Sequence, residues 1–262
     1  MKVSEILTQF YEGYDEENRL SSRYGMVEYR TTIHFVEKYL RPGMRILEIG
    51  AATGRYSHYF ARRGYQVDAV ELVEHNIDIF KQNTQPGEDI RIRQGNAKDL
   101  NEFVNDTYDI TLLLGPMYHL FTEEEKLQAL SEAIRVTKKG GIVFTAYCMG
   151  DASVLLYGFR RGEIHNIINK CMLDPVTFQT FSKPWDLFEL HRKEDIDMLR
   201  SHFPVTQLHF LATDGYANHM RDTLEAMDEE TYALYLRYHL ATCERQDMIG
   251  YSNHTLDIFR KE

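Results

Sequence analysis

Apolar positions along the chain fall into two alternating rhythms. Short apolar runs occur within 46–49, 66–71, 108–114 and 142–147, and Ile90-Arg91-Ile92-Arg93-Gln94 makes a further strand-length segment. Runs of this length between turn residues read as buried strands. Between them the spacing turns helical. A helix starting near Thr53 carries Tyr56, Tyr59 and Phe60 inward and stops at Gly64. Val73, Ile77 and Phe80 mark the next, which Pro86-Gly87 breaks. Residues 98–105 read as a short helix. From Thr122 to Lys138, Leu127, Leu130 and Ile134 share a face, Thr122 and Glu125 form a capping box, and Lys138 and Lys139 sit at the negative end before Gly140-Gly141. An earlier helix places Val27, Ile33, Val36 and Leu40 near one face and ends at Arg41-Pro42-Gly43. Five alternations of strand and helix argue an α/β fold built on a doubly wound parallel sheet.

From Gly150 the rhythm fails. Residues 151–200 read as helices and loops with aromatic clusters: Leu155, Leu156, Tyr157 and Phe159, then Phe178, Phe181, Trp185 and Phe188. A strand at Val205 to Leu211, a helical stretch over 216–246 and a last strand at Thr255 to Phe259 follow. The expected organisation is a core with an N-terminal helical arm over 1–150, a helical lid insertion over 151–204, and 205–262 completing the same sheet. A separate domain is the alternative for the insertion, but roughly 50 residues make a thin core alone.

The stretch between the first strand and the next helix carries the candidate chemistry. It reads Glu48-Ile49-Gly50-Ala51-Ala52-Thr53-Gly54. Small residues there let backbone N–H groups approach a bound nucleotide at a helix start. The second strand ends in Glu71, 21 residues after Gly50. A carboxylate at that place can take both hydroxyls of a ribose. A dinucleotide-type G-x-G-x-x-G would need glycines where Ala52 and Arg55 stand. The observed E-x-G-x-x-x-G resembles motif I of the class I S-adenosylmethionine-dependent methyltransferases, [DE]-x-G-x-G-x-G, with Ala52 replacing the middle glycine. Gly115-Pro116-Met117-Tyr118-His119-Leu120 resembles the G-P-[LM]-Y-H-L segment of a bacterial subgroup of that family. It does not match the [DNS]-P-P-[YFW] of enzymes that methylate amino groups of nucleic acids and proteins.

The resemblance implies a Rossmann-like, seven-stranded, mostly parallel sheet with an antiparallel last strand, and S-adenosylmethionine as cofactor. It assigns cofactor contacts to Glu48, Gly50, Ala51, Ala52 and Gly54 of motif I, and to Glu71 and Leu72 after the second strand. Asn96 and Ala97 follow the third strand, where the family often has Asp-Ala reaching the adenine amino group; a plain turn role is the alternative for Asn96. Leu114 and Gly115 lie at the end of the fourth strand. His119 is the candidate base, since histidine titrates near neutral pH; the alternative is a histidine that fixes the loop or contacts the cofactor. Tyr118 or Tyr14 would face the sulfonium or serve in packing. Arg19 would pair with the cofactor's carboxylate or lie solvated. The lid aromatics would line the acceptor pocket or form a small core.

Composition narrows the acceptor. The chain has 262 residues and a net charge of −10, with Lys and Arg scattered. This counts against a nucleic-acid surface. Cys148, Cys171 and Cys243 form no C-x-x-C, and Cys148 lacks a neighbouring base. The absence of a signal peptide and of a membrane-spanning run favours a cytoplasmic enzyme. Histidine spacing suggests no metal. The expectation is therefore methyl transfer to a small-molecule acceptor, with no nucleic-acid or membrane partner. The alternatives are a non-catalytic S-adenosylmethionine sensor, a methyltransferase for protein or RNA, and a nicotinamide oxidoreductase.

Overall fold

Seven strands pair in the order β3-β2-β1-β4-β5-β7-β6 in the computed structural model, which describes residues 3–262. They are β1 (Arg45–Ile49), β2 (Gln66–Glu71), β3 (Ile90–Gln94), β4 (Tyr108–Leu113), β5 (Thr137–Cys148), β6 (Val205–Ala212) and β7 (His254–Lys261). β1 to β5 run parallel, and β7 is antiparallel to both β5 and β6. The chain leaves β1 for β2 on one side, and later returns to place β4 on the other. That reversal opens a crevice beyond the carboxyl ends of the strands.

Helices cover both faces, so the central strands are buried on both sides and their sequences are nearly all apolar. In β5, Ile142, Phe144 and Ala146 join one apolar layer while Val143 and Tyr147 join the other. The helices are α1 (Val3–Glu12), α2 (Arg23–Tyr39), α3 (Arg55–Ala61), α4 (Glu74–Asn83), α5 (Glu123–Val136), α6 (Gly150–Ser153), α7 (Ile164–Asn169), α8 (Lys193–Ser201), α9 (Arg221–Ala226) and α10 (Glu229–Thr242). α6 runs on into a π-helical turn, Val154–Arg160. α8 is the crossover helix between β5 and β6, with Ile196 and Leu199 in the core. No helix among the described residues is long and apolar enough to cross a membrane.

Several sequence expectations change. Residues 98–105 form turns, not a helix. Their polar backbone is satisfied from elsewhere: Leu100 N–H donates to Glu132, and Arg135 donates to the carbonyls of Leu100 and Phe103. α5 stops at Val136, because Thr137 already pairs with β4 and its hydroxyl bonds back to the Ala133 carbonyl. Lys138 therefore pairs with Asp109 rather than with a helix end. The helical stretch over 216–246 is divided into a short 3-10 turn, α9 and α10, with Asp228 capping the last. Tyr59 lies half-buried at the surface, its hydroxyl on Glu37.

Candidate functional site

Two cavities lie side by side over the carboxyl edge of the sheet. The first, of about 500 Å3, is walled by the β1–α3 bend and by the ends of β2, β3 and β4. Glu48, Gly50, Ala51, Ala52, Glu71, Leu72, Asn96, Ala97, Leu114, Gly115, Tyr118 and His119, named from the sequence as candidate site residues, all line it. α1 contributes Leu7 and Tyr11 to its wall. The second, of about 880 Å3, lies over β5 and β7 beneath the 151–190 segment. Tyr11, Glu16, Arg19 and Tyr118 border both cavities.

The bend itself is built by three left-handed residues, Gly50, Ala52 and Gly54, with φ of 77°, 47° and 89°. A Cβ on Gly50 would stand 2.6 Å from Pro116 Cδ, so its absence admits the loop after β4. Gly54 does not line the cavity. A side chain there would collide with Phe80 and His58, so this glycine serves packing behind the bend. Ala52 carries a Cβ where the backbone favours glycine, a conformation costing roughly 1–2 kcal/mol.

Glu71 holds the bend in place. Oε2 accepts the Ala52 N–H at 2.9 Å, and Oε1 accepts the Val73 N–H at 2.9 Å. Burial raises its pKa, and those N–H groups partly offset the effect. A diphosphate would need the Ala52 N–H that Glu71 already takes, and would meet two carboxylates. The wall suits neutral hydroxyls and a cation instead. Glu48 is buried with its pKa pushed up to about 8 by burial, against the Ser57 hydroxyl that bonds it. Asn76 lines the same cavity, and its Oδ1 is buried with no hydrogen-bond partner. Asn96 ties its own turn through Oδ1 to the Lys98 N–H at 3.0 Å.

His119 lines the first cavity with both ring nitrogens engaged. Nδ1 lies 2.9 Å from the Leu187 carbonyl and Nε2 lies 3.0 Å from the Tyr11 hydroxyl. Burial depresses its pKa to about 4. Burial also raises the pKa of the Tyr11 hydroxyl. The Tyr118 hydroxyl donates to the Leu114 carbonyl at 2.9 Å.

Two expectations for the arm are corrected. Tyr14 stacks on Phe10 and faces only the second cavity, so Tyr11, three residues earlier, is the tyrosine that the arm contributes to the first. Arg19 is neither solvated nor free. Its guanidinium bonds Glu16 and both oxygens of Glu28, and those carboxylates hold its pKa up despite burial. Arg55 also lines the first cavity and bonds only Ser21 and Met26, with no carboxylate partner among the described residues. Of the lid aromatics, Phe181 and Phe188 line the second cavity, whereas Trp185 and Phe178 do not.

The second cavity also gathers Glu28, Asp214 and His254 from distant parts of the chain, with ligating atoms within 4.8 Å of one another. Histidine spacing gave no sign of this group. Its atoms are bonded to one another and to the protein. His254 Nδ1 lies 2.7 Å from Asp214 and 3.4 Å from Glu28. Burial alone would lower the imidazole's pKa, but Glu28 and Asp214 hold it well above the usual histidine range.

Comparisons with known proteins agree with this geometry. Residues 46–141 match the family described as "Methyltransferase domain". The chain is 24% identical over 187 residues to the ubiquinone biosynthesis O-methyltransferase of Pseudomonas syringae pv. tomato, covering 70% of this chain and 78% of that protein. Among solved structures, a Pyrococcus horikoshii protein superposes with a TM-score of 0.64 at 15% identity, covering 97% of this chain and 99% of that one. A possible histamine N-methyltransferase of Thermotoga maritima superposes with a TM-score of 0.58 at 16% identity over 100% of both chains. At these identities the superpositions show the fold. With the motif I bend and the acid-walled cavity inside the matched span, residues 46–141 are a methyltransferase domain of the class I S-adenosylmethionine-dependent kind.

Proposed function

We propose that the protein moves the methyl group of S-adenosylmethionine to a small molecule seated in the second cavity. The observation that carries this reading is the shared wall: two neighbouring cavities meet at Tyr11, Glu16, Arg19 and Tyr118. When bound, the cofactor supplies an activated methyl on sulfur, so placement of the acceptor in line supplies much of the rate. Leu72, Ala97 and Leu114 give the adenine an apolar slot. Glu71 takes the ribose hydroxyls with lone pairs left by the bend. Arg55, rather than Arg19, meets the cofactor carboxylate. Tyr118 and Tyr11 turn ring faces toward the cationic sulfur, a contact worth roughly 0.5–2 kcal/mol.

His119 acts first as a positioning residue in this scheme. It is neutral and ties α1 to the segment before Phe188. The resemblance to the Pseudomonas O-methyltransferase supports a hydroxyl acceptor. The net charge of −10 supports a small molecule over nucleic acid.

Isothermal titration tests the cofactor half: S-adenosylmethionine and S-adenosylhomocysteine both bind, and Glu71→Ala weakens both while the variant stays folded. Release of S-adenosylhomocysteine with panels of phenols, amines, peptides and RNA tests the acceptor half. Turnover confined to the peptide or RNA panels would replace the small-molecule reading.

A further inference from the structure

Resting on the methyl-transfer reading above, we infer that the second cavity selects an aromatic hydroxyl compound and anchors its hydroxyl between Asn253 Oδ1 and His254 Nε2. Both residues line the cavity. Asn253 is only 8% exposed, and its Oδ1 is buried with no hydrogen-bond partner. A buried amide oxygen left unpaired is destabilising. A ligand that donates to it recovers that cost.

His254 supplies the complementary atom. Its Nδ1 is turned to Asp214 and Glu28, which leaves Nε2 as the ring's remaining polar atom. Asp214 is itself fixed, accepting from the Ser252 hydroxyl at 2.5 Å and from Asn218 Nδ2 at 2.6 Å. The other charged or titratable groups around the ring are Arg19 and Glu16 on the arm, Cys148 at the end of β5, and Tyr118 with its ring 6.5 Å away. Asp214 and Glu28 face Nδ1 and hold the imidazole charged although Arg19 also bonds Glu28, so Nε2 is a donor.

The ligand group must therefore donate to one atom and accept from the other. A hydroxyl does both. A carboxylate has no proton to give Asn253 and would approach Asp214 and Glu28. An ammonium has no lone pair for Nε2. The aromatic body follows from the rings of Tyr118 and Phe188, 6.0 Å apart on the near wall, and of Phe181 on the lid.

The anchor sits at β7, two strands from the end of β4. That separation is about 10 Å. The anchored hydroxyl is thus a recognition group, and the methylated atom lies nearer Tyr118.

The test titrates 2-naphthol and 2-methoxynaphthalene into the protein with and without S-adenosylhomocysteine. The methoxy compound keeps the acceptor oxygen and loses the donor. The expected result is 2-naphthol bound at least about tenfold more tightly, a preference erased in Asn253→Leu and retained in Asn253→Asp, with S-adenosylhomocysteine affinity unchanged in both. Equal affinity for the two probes in the wild type overturns the inference. So does a preference that survives Asn253→Leu, or displacement of 2-naphthol by S-adenosylhomocysteine. Tight binding of zinc chloride that is lost in Asp214→Asn also overturns it, by making the cluster a metal centre. Hydroxyl selectivity in a protein that binds neither cofactor form keeps the hydroxyl site and removes the methyl-transfer reading.

Discussion

The Tyr11 hydroxyl lies 3.0 Å from His119 Nε2, joining two helical segments 108 positions apart. The Leu187 carbonyl can only accept, so the proton of the neutral ring is on Nδ1 and Nε2 accepts from Tyr11. One imidazole therefore ties α1 to the segment before Phe188 beside the first cavity. Losing it should loosen that tie, not only the chemistry. His119→Ala is expected to lower S-adenosylhomocysteine affinity and turnover together, by about tenfold each. Tyr11→Phe should give a smaller loss of the same kind. A fall in turnover with cofactor affinity intact would instead identify His119 as a base.

Arg55 and Arg19 border the same cavity but differ in what already holds them. Arg19 is bonded to Glu16 and Glu28, whereas Arg55 bonds a hydroxyl and a thioether. An anionic cofactor group gains more from the cation with no carboxylate attached. Arg55→Met should weaken S-adenosylhomocysteine binding about tenfold, and decarboxylated S-adenosylmethionine should bind wild type and variant alike. Calorimetric dissociation constants for the two ligands decide it.

Much of this arrangement could be read from the chain. The central strands β1, β4 and β5 were legible because burial on both faces leaves few polar positions in them, and the edge strand β3 was legible from its short length between turn residues. The bend and Glu71 were legible because their spacing is local. Tyr11 was not: it shares the arm with Tyr14, three residues on, and only packing against the cavity separates them. Asn253, His254, Asp214 and Glu28 were not, because no sequence spacing links residues that meet through β7, the end of β6 and α2. The failed helix at 98–105 has the same origin, since Arg135 from α5 takes carbonyls that helical bonds would have used.

Ala52 stands at φ 47° in the bend that Glu71 fixes. Glycine adopts this region freely, although it costs more entropy on folding. Ala52→Gly is expected to raise the melting temperature slightly or leave it unchanged, and to tighten S-adenosylhomocysteine binding by opening the wall. Ala52→Val, β-branched in a left-handed position, should lose at least about 1–2 kcal/mol of stability. Thermal melts with and without ligand check both.

Glu48 is the buried carboxyl of the bend, with a pKa pushed from 4.5 to about 8 by desolvation. Between those two values the native chain holds a proton that the unfolded chain has released. Stability therefore falls as pH rises through that window, by up to about 1.4 kcal/mol per pH unit. Glu48→Gln removes the titration, so its melting temperature should gain on the wild type progressively from pH 5 to pH 8 and then level off. Cofactor binding should reverse the local balance. A sulfonium or ammonium beside the carboxyl favours its charged form. Binding of S-adenosylmethionine near pH 7 should then release close to one proton, read from calorimetry in buffers of different ionisation enthalpy. Glu48→Gln should release none. S-adenosylhomocysteine, which lacks the sulfonium, should release fewer than S-adenosylmethionine if Glu48 faces the sulfur, and equally many if it faces the amino group. Binding heats that do not change with buffer would place the cofactor's cationic end away from Glu48.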